Sequence, residues 1–214
     1  MGLPVLILGE SGTGKSASMR SFTEKDKVAI INVNGKPLPF RSKLATMKTD
    51  DYEEIKKTML AVQNKGYKRI VIDDSQYLMA NEFMRRAKER GYDKFTEIAQ
   101  NFWDLINSAN ALDDDVIVYF LSHIERDANG NEKIKTIGKM LDEKITVEGM
   151  FTIVLKTQVQ DGHYGFVTQN NGQDTVKSPI GLFDASVIDN DLKIVDTAIR
   201  NYYEMKGEKK NGNS

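Results

Sequence analysis

The 214-residue sequence contains no cysteine, four prolines and two histidines, and its formal net charge is only −1. Without cysteine the chain has no disulfide, no cysteine-ligated zinc and no thiol catalysis, and a reducing compartment fits. The near-neutral balance excludes a wholly basic protein but leaves room for a local basic patch. The sequence also lacks a signal peptide, a polybasic anchor and a long apolar run, so we expect no membrane partner and a cytoplasmic location.

One strongly patterned stretch lies near the start of the chain. The sequence Gly-Glu-Ser-Gly-Thr-Gly-Lys-Ser at residues 9–16 matches the P-loop pattern G-x-x-x-x-G-K-S and follows an apolar run at residues 5–8. That run predicts a buried strand, and residues 16–22 can open a helix behind the glycines. P-loops occur in this strand, loop and helix order, so a chance glycine turn is the weaker interpretation.

The P-loop predicts a site for a nucleoside triphosphate. Its glycines let the backbone approach a polyphosphate closely, and successive amides then face the phosphate oxygens. Lys15 would act on the β- and γ-phosphates as a catalytic residue, and the Ser16 hydroxyl would ligate Mg²⁺. We therefore expect ATP and Mg²⁺ as cofactors. The predicted cofactor-binding residues are Gly9, Glu10, Ser11, Gly12, Thr13, Gly14, Lys15, Ser16 and Ala17.

Further apolar runs alternate with helical patterns along the chain. Their order predicts an α/β fold with a mostly parallel sheet, flanked by helices, and a C-terminal antiparallel hairpin. One domain over residues 1–205 and a flexible polar tail over residues 206–214 are expected. The predicted strands cover residues 5–8, 28–33, 69–74, 116–121, 151–159 and 164–167. The predicted helices run from Asp50 or Asp51 to Gly66, over residues 92–109 and over residues 191–203. The last helix should face inward with Leu192, Val195, Ile199 and either Tyr202 or Tyr203.

Two carboxylates and a histidine follow strands whose carboxyl ends should meet the P-loop. Asp73 ends an apolar strand, where a carboxylate can hold Mg²⁺ together with Ser16 as a Walker B residue does. Asp74 is a candidate base for the attacking water, and His123, after the fourth strand, is a candidate sensor of the γ-phosphate. The alternatives are that both aspartates only cap the strand and that His123 is an ordinary strand-end histidine. His163 is interpreted as a surface residue of the hairpin.

An ATPase of this kind usually takes a cation from a neighbouring subunit to stabilise charge in the transition state. The sequence offers four candidates for that cation and does not rank them. They are Arg126, Lys139, Lys144 and Lys156.

Basic residues with aromatic neighbours suggest single-stranded nucleic acid as a partner, through phosphate contacts and base stacking. The first group follows the Asp73 strand near Phe83, Tyr92 and Phe95, and the second lies after His123. The alternative is that the charges are a solvated helix face and that the aromatics belong to the core. The candidate DNA-binding residues are Arg85, Arg86, Lys88 and Arg90 in the first group and Arg126, Lys133 and Lys135 in the second.

Five motifs in this order resemble the short phage-encoded P-loop ATPases with a RecA-like core, including the single-strand annealing proteins of the Sak group. They are the P-loop, Ile-Val-Ile-Asp-Asp-Ser-Gln-Tyr at 70–77, Tyr-Phe-Leu-Ser-His at 119–123, Lys-Ser-Pro-Ile-Gly-Leu-Phe-Asp at 177–184 and Asp-Asn-Asp-Leu at 189–192.

The resemblance covers nearly all of residues 1–205. It implies a RecA-like fold, dependence on ATP and Mg²⁺, self-assembly, and binding or annealing of single-stranded DNA in phage recombination. The loops after Asp74 and after His123 would correspond to the two DNA-facing loops of such proteins. One departure is that residues 32–36 lack the catalytic Glu that RecA carries there, so the base would be Asp74 or turnover would be slow.

We weigh four functions for this sequence. The first is an oligomeric, ring or filament, DNA-dependent ATPase that anneals or pairs single strands, with a single-strand-binding protein as a candidate partner. The second is a helicase-loader or packaging ATPase of the same fold. The third is a small-molecule or nucleotide kinase, against which stand the inserted strand before Asp73 and the absence of an Arg-rich lid. The fourth is a binding module in which ATP is structural.

Overall fold

The computed structural model describes residues 1–138 and 140–205. Lys139 and the predicted tail at residues 206–214 lie outside the described residues. The strands are β1 (Leu3–Gly9), β2 (Val28–Asn32), β3 (Ala45–Lys48), β4 (Arg69–Asp73), β5 (Ile117–Arg126), β6 (Glu132–Ile134), β7 (Ile153–Gln160), β8 (His163–Val167) and β9 (Val187–Asp189), and the helices are α1 (Tyr52–Asn64), α2 (Tyr77–Arg85), α3 (Asp93–Asn110) and α4 (Leu192–Tyr202).

The strands form one mostly parallel sheet in the order β3-β2-β4-β5-β1-β7-β8-β9. Strands β3 to β7 in this order run parallel, while β8 and β9 are antiparallel, and β6 pairs antiparallel with the end of β5. The register sets Gly9 beside His123 and Asn32 beside Asp73. The carboxyl ends of the central strands therefore bring the P-loop, the aspartate pair and His123 to one edge, as the predicted α/β P-loop fold requires.

The sheet is covered on both faces, because the side chains of β1 alternate between two apolar layers. Leu6 and Leu8 pack with α1, α2 and α3, whereas Val5 and Ile7 pack with α4. The pattern over residues 92–109 predicts one inward stripe, formed by Phe95, Ile98, Phe102, Leu105, Ile106 and Ala109. In α3 all of these side chains are buried except Phe95, which is partly exposed.

Several expected elements differ from the structure. Residues 16–22 do not form an α-helix: a 3-10 helix covers Ser16–Ser21. Three of its six residues are serines, which compete for backbone hydrogen bonds, and Ser18 Oγ donates to the Lys15 carbonyl. The inward placement of Tyr202 or Tyr203 was wrong, since both side chains are exposed at the end of α4.

Four strands and helices were missed and one strand was ended too early. The strands β3, β6 and β9 and the helix α2 had no prediction. Strand β5 does not end at Ser122-His123 but continues to Arg126, because β6 pairs with its last three residues. His123 thus lies within a strand. No helix among the residues that the structure describes is both long and apolar enough to span a bilayer.

A buried ionic network closes the amino-terminal edge of the sheet, opposite the P-loop. The carboxylate of Asp196, on α4, accepts hydrogen bonds from Arg69 Nε at 2.6 Å, Arg200 Nε at 2.8 Å and the Tyr119 hydroxyl at 2.9 Å. Arg200 also donates to two backbone carbonyls of the loops at this edge. The network joins α4 to β4 and β5, and its single carboxylate is shared by two arginines.

Candidate active site

The P-loop is held against β7 by close packing at its first glycine. A Cβ on Gly9 would lie 1.9 Å from Thr157 Oγ1, so only glycine fits there. Thr157 Oγ1 also lies 2.6 Å from Thr13 Oγ1, which fixes the far side of the loop. Gly14 has a φ of +95°, a left-handed conformation that favours glycine. These contacts explain two of the three glycines of the pattern in this sequence.

Lys15 lies inside the loop that precedes it. Its ammonium donates to the carbonyls of Gly9 and Glu10, each at 2.8 Å, and the side chain is buried. Burial lowers the pKa of Lys15 to about 8, although the nearby carboxylates of Asp74 and Asp73 raise it. A phosphate would be a stronger partner for this ammonium than two neutral carbonyls, because both groups are charged.

Ser16 and Asp73 meet across the floor of the site. Ser16 Oγ donates to Asp73 Oδ1 at 2.8 Å, although the two residues are 57 positions apart in the sequence. Burial raises the pKa of Asp73 to about 6 despite that hydrogen bond. A nearby divalent cation would favour the ionised carboxylate.

The Ser16–Asp73 pair suits Mg²⁺ better than a metal bound only by protein. Among the side chains that the structure describes, which exclude those of residues 139, 142, 143 and 206–214, no group of three or more His, Cys, Asp or Glu could hold a metal ion. Mg²⁺ usually takes one or two protein oxygens and completes its shell with water and substrate phosphates. The hydroxyl and the buried carboxylate fit that pattern, so Ser16 and Asp73 could hold Mg²⁺ together with a bound nucleotide.

Asp74 has a left-handed backbone, with φ +62°, and its side chain is held from three sides. Asn34 Nδ2 donates to it at 2.8 Å, Lys36 Nζ lies at 3.6 Å and His123 Nε2 at 3.5 Å. Burial alone would raise the pKa of Asp74, but hydrogen bonds from His123 and Asn34 and the charge of Lys36 hold it at about 2. So weak a base would orient a water molecule better than it would remove its proton.

His123 is positioned by α2 as well as by its own strand. Its backbone N–H donates to Gln76 Oε1 at 3.1 Å, and its ring meets the Tyr77 ring edge-on, with centroids 5.9 Å apart. His123 can therefore link Asp74 to the start of α2. His163 is exposed at the start of β8, in agreement with its interpretation as a surface residue.

These groups line one cavity of about 640 Å³, which has residues from the loop after β2 on one side and from β8 and the loop before α4 on the other. Sequence reasoning missed several residues at this site, among them Asn34, Lys36, Gln76, Tyr164 and Asn190. Of these, Lys36 had a signal, because the Asn34-Gly35 turn follows a strand whose carboxyl end meets the P-loop. The lining consists of Ser11, Gly12, Gly14, Lys15, Ser16, Ala17, Arg20, Asn32, Lys36, Pro37, Pro39, Asp73, Asp74, His123, Tyr164 and Asn190.

Two cations of the first candidate DNA-binding group form ion pairs, and the other two are exposed. Arg85 pairs with Asp50, and Arg86 contacts three carboxylates within 3.1 Å. Lys88 and Arg90 are exposed after the end of α2. The aromatics also divide: Tyr92 is exposed, whereas Phe83 and Phe95 stack on each other, with ring centroids 5.6 Å apart. The carboxylates that engage Arg86 are Glu82, Glu89 and Glu97.

The second group lies on and after the β5–β6 hairpin. Arg126 is 3.1 Å from Glu132 and 3.7 Å from Glu10 of the P-loop, and Lys133 is 3.8 Å from Glu125. Lys135 is exposed. The hairpin therefore reaches the outer side of the P-loop through the Arg126 side chain.

The candidates for the cation that a neighbouring subunit would supply also differ in burial and pairing. Lys156 is largely buried between Glu132 and Asp174, each at 2.8 Å, so its charge is already neutralised within the chain. Lys144 is exposed at the end of a short π-helical turn, Met140–Lys144. Lys139 lies outside the described residues, and Arg126 has the two partners given above.

Comparison with known proteins agrees with this geometry at the level of the family. No protein with a curated description matches the chain. The profile of the family described as AAA domain matches residues 1–179, which is most of the chain and includes the P-loop, Asp73, Asp74 and His123. The chain therefore belongs to the AAA domain family of P-loop ATPases.

Proposed function

We propose that the protein hydrolyses ATP with Mg²⁺ and uses the hydrolysis, as a homo-oligomer, to bind and anneal single-stranded DNA. The observation that carries the ATPase part is the Ser16–Asp73 contact of 2.8 Å beside the buried ammonium of Lys15. It joins a P-loop hydroxyl to a strand-end carboxylate in one cavity, as the P-loop ATPases of the family require.

Each residue has a defined part in this proposal. Lys15 binds the β- and γ-phosphates, and Ser16 and Asp73 hold the metal. Bound Mg²⁺ would neutralise charge on the phosphates. Asp74, which is ionised at neutral pH, accepts a hydrogen bond from the attacking water and orients it, while His123 positions Asp74.

A second cavity beside the first supports an action on nucleic acid. It has a volume of about 510 Å³ and shares Ser11, Lys36 and His123 with the nucleotide cavity. Its other walls combine aromatic and basic side chains, which suit the bases and phosphates of a single strand. Those side chains include Tyr77, Phe83 and Lys135, and the exposed residues Lys88, Arg90 and Tyr92 follow α2.

A single set of assays separates the four functions weighed above. ATP hydrolysis is measured with and without single-stranded DNA, followed by annealing of complementary strands and by phosphate transfer to small acceptors. The proposal predicts hydrolysis that DNA stimulates, together with annealing. Stimulation without annealing favours a loader or packaging ATPase, transfer to an acceptor identifies a kinase, and ATP binding without turnover identifies a structural nucleotide. Each of these last three results would contradict the proposal.

The DNA part is tested with a matched pair of double variants. Lys88→Ala/Arg90→Ala should weaken binding to single strands of every sequence. It should also reduce the slope of log affinity against log salt concentration by about one to two. The control, Lys57→Ala/Lys65→Ala, removes the same charge from exposed lysines of α1 and its end. Equal affinity in the two double variants would place the DNA elsewhere. Sedimentation with and without ATP and DNA tests the oligomer.

A further inference from the structure

Lys36 enters the nucleotide cavity from a turn that the fold holds firmly. The buried side chain of Asn32 accepts a hydrogen bond from the Gly35 N–H at 2.7 Å and donates one to the Lys36 carbonyl at 2.6 Å. Gly35 has a φ of +62°, so the chain reverses there. The backbone of Lys36 is therefore held by these hydrogen bonds, whereas its side chain is largely exposed in the cavity.

The ammonium of Lys36 lies on the side of the cavity where the aspartate pair ends. Its Nζ is 3.6 Å from Asp74 Oδ2 and 5.4 Å from the centre of the Tyr77 ring. The charge of Lys36 also contributes to the lowered pKa of Lys15, so the two ammonium groups act on the same space. A phosphate chain held by Lys15 would present its terminal group towards Asp74 and Lys36.

Lys36 also has the weakest contacts with the protein among the described cations of this cavity. Among the residues that the structure describes, the lysines and arginines that line it are Lys15, Arg20 and Lys36. Arg20 donates to the Asn190 carbonyl at 2.5 Å and to the Ala17 carbonyl at 3.2 Å. The side chain of Lys36 is 67% exposed and contacts one carboxylate at a long distance. It can therefore change partners without breaking a buried interaction.

We infer that Lys36 is a catalytic residue that supplies, within the same chain, the positive charge that stabilises the γ-phosphoryl group during transfer. This inference rests on the proposed hydrolysis of ATP. In that step the water oxygen bonds to the γ-phosphorus, the bond from that phosphorus to the bridging oxygen breaks, and its electron pair stays on ADP. The proton of the water leaves with phosphate or solvent. Lys36 moves from Asp74 to the equatorial oxygens, where negative charge is spread in the transition state.

The inference removes the need for a cation from a neighbouring subunit. Arg126 and Lys156, two of the candidates for that cation, are already paired inside the chain. If Lys36 supplies the charge, each chain holds a complete catalytic set. The rate of hydrolysis per chain should then stay constant when the protein is diluted in the absence of DNA.

The test compares Lys36→Ala with Lys36→Arg and with Lys43→Ala. Lys43 is an exposed lysine of the same long loop that does not line the cavity. We expect Lys36→Ala to lower kcat by about 100- to 1000-fold, because an interaction made only in the transition state is lost. ATP affinity should change by no more than about threefold, since Lys15 and the P-loop amides still hold the phosphates. Lys36→Arg should restore at least a tenth of the wild-type kcat, and Lys43→Ala should match the wild type.

Other results overturn the inference in distinguishable ways. A wild-type protein that hydrolyses ATP and a Lys36→Ala variant that keeps its kcat would remove the role of Lys36 alone. A wild-type rate per chain that falls steeply on dilution would assign the cation to a neighbouring subunit. A wild-type protein that binds ATP and never hydrolyses it would overturn the proposed function and this role together. Circular dichroism of Lys36→Ala checks the fold, which this exposed side chain should leave unchanged.

Discussion

Two buried aspartates at opposite edges of the same sheet differ in their partners. Asp196, at the amino-terminal edge, is almost completely buried and accepts hydrogen bonds from two arginines and a tyrosine. Asp73, at the carboxyl edge, is 6% exposed and accepts hydrogen bonds from the Ser16 hydroxyl and the Asp74 backbone. Within the part of the chain that the structure describes, no basic side chain lies within 4.0 Å of Asp73.

This difference in partners indicates that Asp196 has a structural role, whereas Asp73 is suited to binding a ligand. Burying a carboxylate costs free energy unless cations or hydrogen-bond donors compensate. At Asp196 the protein supplies that compensation from α4, β4 and β5. At Asp73 the compensation is incomplete, and burial raises the pKa of this carboxyl group to about 6. The carboxyl edge of the sheet is therefore the edge prepared for a cation and a nucleotide.

The largest effect on stability should come from the amino-terminal edge. We expect Asp196→Ala to lower the free energy of unfolding by about 3–5 kcal/mol, because Arg69 and Arg200 lose their buried counter-charge. Urea unfolding measured with Asp73→Ala under the same conditions provides the comparison. An equal loss in the two variants would show that Asp73 and Asp196 contribute equally to stability, which would contradict the difference between the two edges.

The next effect concerns the binding of nucleotide. Lys15→Ala should reduce ATP affinity by at least about 100-fold, or about 2.7 kcal/mol, because a charge-assisted contact to the phosphates is lost. Calorimetric titration with a non-hydrolysable analogue measures this loss. Near-normal affinity in Lys15→Ala would move the nucleotide site away from the P-loop.

The pKa of Asp73 predicts an unusual effect of pH on stability. Because its folded pKa of about 6 lies above the ordinary value of 3.8, this group makes the folded state less stable as pH rises from 4 to 6. Asp73→Asn lacks that change. Its free energy of unfolding, relative to the wild type, should therefore rise by about 2 kcal/mol between pH 4 and pH 7. A constant difference between the two proteins would contradict the raised pKa.

The affinity for Mg²⁺ and ATP should also depend on pH. It should fall below about pH 6, where Asp73 becomes protonated, and above about pH 8, where Lys15 loses its proton. Each limb should approach about tenfold per pH unit, or about 1.4 kcal/mol. Titrations of wild type and Asp73→Asn between pH 5 and pH 9 measure it, and the variant should lose the contribution of Asp73 to the acid limb. Two identical profiles would contradict the assignment of that limb.

The smallest effect should come from a helix cap that lies outside both edges. Asp51 accepts a hydrogen bond from the Glu54 backbone N–H at 2.8 Å at the start of α1. Asp51→Ala should lower the free energy of unfolding by about 1 kcal/mol and leave ATP affinity unchanged. A change in ATP affinity would show that α1 is coupled to the nucleotide site.

Local sequence patterns predicted much of the fold and the centre of the candidate site. The parallel core, the start of α1 at Asp50 or Asp51, α3 and the β7–β8 hairpin follow from short-range periodicity and turn residues. Edge strand β3 is four residues long and mostly exposed, so it has no apolar alternation to reveal it. Helix α2 begins without a side-chain cap at Gln76, which removes its start signal.

The interactions that no local pattern encodes were the ones that sequence reasoning missed. Arg69 and Asp196 are 127 residues apart, and Asn34 and Asp74 are 40 apart. Their pairing depends on strand order and on the paths of loops. The prediction that the exposed cations bind DNA remains a prediction, because charge and exposure alone do not identify a partner.

The left-handed backbone at Asp74 also explains why a short acidic side chain occupies this position. Residues with φ near +60° are strained unless they are glycine, and Asn and Asp tolerate the strain best because their side chains can bond locally. A longer glutamate would lose that tolerance. The left-handed main chain after β4 thus favours aspartate over its longer homologue at this position.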